Sequence, residues 1–151
     1  SQNKTYKWAN RFNSLWVNIV AIFLDASYFL ALYNENDVHH KRAKLIAEKI
    51  DANQYGQVLT SDDIFDEVVS VALRKFGKEK AQILGKQIFD SIFILHGNRH
   101  LFDIAFKIFN ASKESFSFTD CMSQAIMDLA QIEYIATFDK LFEKLSVEVV
   151  N

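Results

Sequence analysis

The sequence predicts an α/β domain in three layers, a parallel sheet between two layers of helices, on three observations. The first is a nearly unbroken apolar run, Val17-Asn18-Ile19-Val20-Ala21-Ile22-Phe23-Leu24-Asp25, that stops on a carboxylate. Such a run reads as a strand buried on both faces in the middle of a parallel sheet. The second is an alternation of short strand-like segments with helical periodicity, the pattern of right-handed crossovers. The third is size: 151 residues, half of them hydrophobic and fourteen of them Phe, suffice for one full core and not for two ordinary domains.

Ser1 to Trp16 carries Trp8, Phe12, Leu15 and Trp16 at helical spacing and reads as an extra helix, so the expected division is residues 1–16 as an amino-terminal extension and 17–151 as the domain. Beyond Asp25 a short helix is expected over Tyr28 to Tyr33. Asp37 is expected to cap a helix to about Ala52 that turns Ala43, Ile46, Ala47 and Ile50 inward. After a second strand, Gln57 to Thr60, Ser61-Asp62-Asp63 opens a long helix with Phe65, Val68, Val69, Ala72 and Phe76 at intervals of three and four. Gly77 stops it. A helix from Lys78 to about Asp90 leads into a third strand, Ser91 to His96. Asn98 to Ala111 is helical with Leu101, Ala105, Ile108 and Phe109 inward. Ser117 begins a helix that buries Phe118, Met122, Ala125 and Leu129. Tyr134-Ile135-Ala136 is a fourth strand, Phe138 to Leu145 a short helix, and Val147 to Val150 a fifth strand.

Composition excludes several classes. A net charge of -2 argues against a protein coated in nucleic acid by bulk electrostatics, without excluding a local basic groove. Cys121 is the only cysteine, so there is neither an intramolecular disulfide nor a cysteine zinc site, which fits a reducing compartment. No apolar run reaches membrane-spanning length and the amino-terminal segment is polar, so the expected setting is the cytoplasm, with no membrane contact. Gly56, Gly77, Gly85 and Gly97 are isolated, which rules out a phosphate-cradling loop and hence a nucleotide cofactor. A haloacid-type phosphatase needs an Asp where Ser27 stands, and a phosphoacceptor receiver needs one where the third strand ends in Leu95-His96-Gly97.

The acids are more telling. In a parallel sheet all strands end on one edge, and each crossover helix starts there. Asp25 ends the first strand, Glu67 lies in the second turn of the helix after the second, Asp120 opens the helix before the fourth, and Asp139 follows the fourth. Four acids from four distant segments are thus expected on one rim. Clustered carboxylates must take up protons or bind a cation, and oxygen-only ligation suits Mg²⁺ or Mn²⁺. Taken singly, each acid is explained as well by helix capping, since Thr60-x-x-Asp63 and Ser117-x-x-Asp120 match the capping-box pattern.

These stretches resemble the PIN domain family, and within it the toxin ribonucleases of VapC type. Phe23-Leu24-Asp25-Ala26-Ser27 is similar to the family's opening motif. Leu59-Thr60-Ser61 leading to Asp66-Glu67-Val68 is similar to the second, Phe118-Thr119-Asp120-Cys121 to the third, and Ala136-Thr137-Phe138-Asp139-Lys140-Leu141-Phe142 to the fourth. The resemblance implies a Rossmann-like sheet of about five parallel strands and a metal-dependent ribonuclease. Asp25, Glu67, Asp120 and Asp139 would be its acidic quartet, Ser27 and Thr137 its supporting polar residues, and Mg²⁺ or Mn²⁺ its cofactor. It also implies hydrolysis to a 5′-phosphate and a 3′-hydroxyl, a homodimer, and a small antitoxin as inhibitor. The amino-terminal extension and Cys121, at a place usually held by a smaller residue, depart from the pattern. Asp66, beside Glu67, is the alternative ligand. The rivals are a non-catalytic module of the same fold that binds RNA or protein, and a housekeeping RNA-processing nuclease.

Other candidates read as ordinary surface or core. His96 and His100 are spaced as metal ligands on a helix, but Gly97 breaks that helix, and His39-His40 read as surface residues. Cys121 reads as core. Arg74, Lys75 and Lys78 flank Gly77 and are the first candidates for contacts to RNA phosphates.

Overall fold

A computed structural model describes residues 20–151. The expected extension, and the first residues of the apolar run, lie outside the described residues. The sheet has five strands, all parallel: β1 (Ala21–Leu24), β2 (Gln57–Ser61), β3 (Phe93–Leu95), β4 (Tyr134–Ala136) and β5 (Glu148–Val150), in the order β3-β2-β1-β4-β5. Phe23 is in register with Leu59 on one side and Ile135 on the other. With strands on both sides and helices on both faces, every residue of β1 is buried, which is why its sequence shows no polar alternation.

Among the described residues six helices complete the layers: α1 (Ala26–Tyr33), α2 (His40–Asp51), α3 (Asp62–Phe76), α4 (Lys78–Ser91), α5 (Arg99–Ala111) and α6 (Phe118–Ala130). The chain builds β2 and β3 outward on one side of β1, then returns to place β4 and β5 on the other. Right-handed crossovers carry α1 to α4 over one face and α5 and α6 over the opposite one. The strand order therefore reverses between β1 and β4, and in such sheets the functional crevice opens at the carboxyl ends of those two strands. Among the described residues no helix is long and apolar enough to cross a membrane.

Several boundaries differ from the sequence reading. Asp37 does not cap α2; its carboxylate accepts from the His39 amide at 2.8 Å inside a turn, and the helix starts later, at His40. The cap of α3 is Ser61 and not Thr60, because β2 runs one residue longer than expected. Ser61 Oγ accepts from the Ile64 amide at 3.2 Å, while Thr60 Oγ1 donates to the Leu24 carbonyl across the sheet at 2.8 Å. Phe138 to Leu145 contains only a 3₁₀ turn, Lys140–Lys144. On α5 the inward stripe runs through Leu101, Ile104, Ala105 and Ile108, so Phe109 stands about 90° off its centre and is exposed, resting on Phe118. Leu129, in the last turn of α6, joins neither core cluster and is also exposed.

Gly56 is the one glycine on which the sheet depends. Its φ is +72°, and a Cβ there would come within 2.0 Å of the Val20 carbonyl oxygen, the group that accepts from the Gln57 amide as β1 and β2 begin to pair. Gly56→Ala is expected to cost roughly 2–3 kcal/mol from backbone strain and displacement of Val20. The urea midpoint should fall accordingly, with no change in the slope of the transition.

Candidate active site

Asp25 occupies the N-cap position of α1, yet its side chain caps nothing. Its Oδ2 instead accepts two hydroxyl protons, from Ser27 Oγ at 2.7 Å and from Thr137 Oγ1 at 2.7 Å, and the residue is 6 % exposed. Each hydroxyl carries a single proton, and both are spent on Asp25, so the 3.1 Å approach between Ser27 and Thr137 is a close contact rather than a further bond. The hydroxyls are themselves fixed by backbone donors, since Ser27 Oγ accepts from the Phe138 amide at 3.0 Å and Thr137 Oγ1 from the Asp139 amide at 3.0 Å. Sequence thus places an acid at the end of β1, and the loop after β4 turns it away from capping, at the switch point of the sheet.

The other aspartates combine a structural duty with an open oxygen. Asp120 closes a full capping box, its Oδ2 accepting from the Ser117 amide at 2.8 Å while its own amide donates to Ser117 Oγ at 3.1 Å. Asp139 Oδ1 accepts from the Leu141 amide at 2.9 Å and starts the 3₁₀ turn. Among the described residues no hydrogen bond reaches Asp25 Oδ1, Asp120 Oδ1, Asp139 Oδ2 or either oxygen of Glu67. Capping and ligation therefore do not compete for the same atoms.

Electrostatics ties the four together. Partial desolvation raises the pKa of Glu67 above the usual range, and the charges of Asp25 and Asp120 raise it further, although the side chain still reaches water. Burial raises that of Asp120 as well, with its Ser117 bonds pulling the other way and the charges of Asp25 and Asp139 adding to the rise. Asp66 lies elsewhere: it lines a neighbouring groove with Asp62 and Asp63, where burial first, then the charge of Asp62 and last that of Asp66 raise the pKa of Asp63.

Does this donor set suit a divalent cation? It is all oxygen, it is mutually repulsive, and Asp25 is oriented with one oxygen free. Among the described residues no three His, Cys, Asp or Glu side chains close into a ready-made cage. A hard cation of the Mg²⁺ type does not require one, because it keeps several waters and takes only one or two carboxylates directly. The residues fit such an ion.

The remaining candidates fall elsewhere. Arg74 and Lys75 end α3 and Lys78 begins α4, at the tip of the α3–α4 hairpin, on the order of 20 Å along the helix from its first turn. His96 and His100 are exposed, with His96 Nδ1 3.3 Å from Asp62 Oδ2. His39 and His40 are less idle than expected: His39 stacks on Phe138 at 4.4 Å between centroids, and His40 Nδ1 meets the Ala31 carbonyl at 2.9 Å. Cys121 is fully buried; burial first and Asp120 second raise its pKa and keep it a thiol. Sequence reading missed Asp62, which clamps β3 to α3 by accepting from the Gly97 amide at 2.9 Å; its only signal was a second acid in a helix's first turn.

Thr137→Val tests the support of Asp25. The isosteric swap removes the proton given to Asp25 and the oxygen that accepts from the Asp139 amide. A cost of about 1–3 kcal/mol in stability is expected, with any cation affinity falling roughly 10–100-fold. Chemical denaturation and Mn²⁺ titration measure the two effects.

A PIN domain family model matches residues 22–148. No curated protein sequence matches the chain. Solved structures do. VapC20 of Mycobacterium tuberculosis, described as a sarcin-ricin loop cleaving toxin, superposes with a TM-score of 0.73 at 24 % identity, over 83 % of this chain and 98 % of that one. DNA-bound VapBC from Salmonella typhimurium gives 0.67 at 12 % identity over 87 % and 97 %. VapBC2 from Rickettsia felis, bound to a promoter DNA fragment, gives 0.67 at 9 % over 85 % and 96 %.

Proposed function

Because the chain belongs to the PIN domain family, we propose that it is a divalent-metal-dependent endoribonuclease, acting as the toxin of a toxin-antitoxin pair. The observation that carries the reading is Asp25: an acid at the switch point, freed from capping, with one oxygen held by Ser27 and Thr137 and the other left open. A residue kept only for packing has no use for that arrangement.

In this reading Asp25, Glu67, Asp120 and Asp139 hold Mg²⁺ or Mn²⁺. The ion, when bound, supplies a water of lowered pKa and stabilises the charge that develops on the phosphate. Ser27 and Thr137 fix the plane of the Asp25 carboxylate, so little reorganisation is needed as the substrate arrives. A new bond forms from water oxygen to phosphorus, the bond to the 3′-oxygen breaks, and that oxygen takes a proton. The products carry a 5′-phosphate and a 3′-hydroxyl. Residues 17–151 form the catalytic domain, 1–16 an extension, and the working form is a homodimer restrained by a small antitoxin protein. Arg74, Lys75 and Lys78, at the hairpin tip, meet RNA only away from the scissile phosphate.

The test is cleavage of end-labelled structured and single-stranded RNAs with Mn²⁺, with Mg²⁺ and with EDTA. Metal-dependent cutting with 5′-phosphate products is the expected result. No cutting together with no measurable Mn²⁺ binding would leave the non-catalytic binding module as the better reading.

A further inference from the structure

The loop between α1 and α2 is fixed from within. The Asp37 amide donates to the Asn34 carbonyl at 2.9 Å, the His39 amide to Asp37 Oδ1 at 2.8 Å and the His40 amide to the Asp37 carbonyl at 3.0 Å. His40 ties the loop to α1 through Nδ1, which lies 2.9 Å from the Ala31 carbonyl. His39 is thereby placed by its backbone. Its imidazole caps nothing, and among the described residues no hydrogen bond reaches it. The ring lies flat on Phe138 instead, with centroids 4.4 Å apart and planes within 4° of parallel.

Phe138 stands among the groups that hold Asp25. Its amide donates to Ser27 Oγ at 3.0 Å, and that hydroxyl donates to Asp25 Oδ2 at 2.7 Å. The residue before it, Thr137, gives its own hydroxyl proton to Asp25. The residue after it, Asp139, carries an acid of the proposed quartet and donates its amide to Thr137 Oγ1 at 3.0 Å. The Phe138 side chain is half-buried: it packs against the main core, and His39 stacks on it from the α1–α2 loop. An aromatic stack contributes little to the stability of a whole domain, yet it restricts a short loop whose other ties are single hydrogen bonds.

We infer that His39 is a positioning residue: its ring clamps Phe138 and so holds Thr137 and Asp139 where one supports Asp25 and the other supplies a carboxylate to the cation. The clamp uses the flat face of the imidazole and not its nitrogens, which sets it apart from a metal ligand or a proton donor. The inference rests on the ribonuclease reading for the cation, and on the geometry alone for the loop. Replacing His39 by Ala spares α2, because the helix start uses the backbone of residue 39: its carbonyl accepts from the Ala43 amide at 2.9 Å and its amide donates to Asp37.

The experiment measures amide hydrogen exchange by NMR without metal, and Mn²⁺ binding by calorimetry, on the full chain of wild type, His39→Ala and His39→Phe. In His39→Ala the Phe138 and Asp139 amides are expected to exchange at least roughly tenfold faster, while the amides of α6 keep their wild-type rates. Mn²⁺ affinity is expected to fall about tenfold in the same variant. His39→Phe keeps the flat face and drops the nitrogens, so it should restore both. Unchanged exchange at the two amides overturns the inference, as does equal acceleration in α6, which would make His39 a residue of general stability. Faster exchange with unchanged Mn²⁺ affinity overturns it as well. So does a His39→Phe variant with wild-type exchange and weakened Mn²⁺ binding, which would give the imidazole nitrogens a direct part. A wild type that binds no Mn²⁺ defeats the ribonuclease reading, whereas faster exchange confined to the loop still upholds the clamp.

Discussion

Asp25→Asn is expected to lower metal-dependent RNA cleavage by on the order of a hundredfold or more while leaving the fold intact. Outer partners of a metal site typically contribute ten- to a hundredfold, and a directly ligating carboxylate contributes at least as much. The fold survives because the amide keeps the shape of the acid and its Oδ1 still accepts from Ser27 and Thr137, whose hydroxyls remain fixed by the Phe138 and Asp139 amides. What changes is the second position, where an NH₂ group replaces the open oxygen and repels a cation instead of binding it. Circular dichroism and the urea midpoint should match wild type within about 1 kcal/mol, the scale of one neutral hydrogen bond. Wild-type turnover in the variant would remove Asp25 from the site. A variant that fails to fold would show that the carboxylate charge is needed for structure, and Asp25→Glu would then separate charge from position.

How much of this could be read from the chain follows from the range of the interactions involved. Asp25 was legible because a buried strand has a sharp end and the topology of parallel sheets says what lies there. Its two hydroxyl partners were not derivable from spacing: Ser27 is local, but Thr137 lies 112 residues away, and only the family resemblance paired them. Local capping was seen at Ser117–Asp120, where both halves of the box lie within four residues, and misplaced by one residue at Thr60, where the strand continued into Ser61. Periodicity gave each helix an inner stripe but not its neighbours. Phe109 and Leu129 share their helices' apolar character and are nevertheless exposed, because burial is decided by what packs opposite. The groove at Asp63 was invisible for the same reason, since its walls are α3 and α5 and its floor joins Gly97 to Met122.

Saturating Mn²⁺ is expected to raise the melting temperature by roughly 5–10 °C at pH 7, corresponding to about 2.7 kcal/mol at a hundred times the dissociation constant. The rise should vanish as the pH falls through the elevated pKa values of Glu67 and Asp120. Both carboxyls hold their protons to higher pH in the folded chain than in the unfolded one. Between the ordinary carboxylate range and those raised values the folded state binds more protons, so apo stability declines as pH rises across that window. At neutral pH the ionised cluster is therefore a strain on the apo fold, and either a proton or a cation relieves it. Because the two compete for the same oxygens, acid abolishes the cation's contribution while supplying its own. Glu67→Gln separates them: it removes one charge without touching a hydrogen bond of the described structure, so it should raise the apo melting temperature at pH 7, flatten its decline with pH, and shrink the Mn²⁺ shift. Differential scanning calorimetry of both proteins across pH 4–8, with and without Mn²⁺, measures all three. An unchanged apo melting temperature together with a full Mn²⁺ shift in the variant would place Glu67 outside the cluster and turn attention to Asp66.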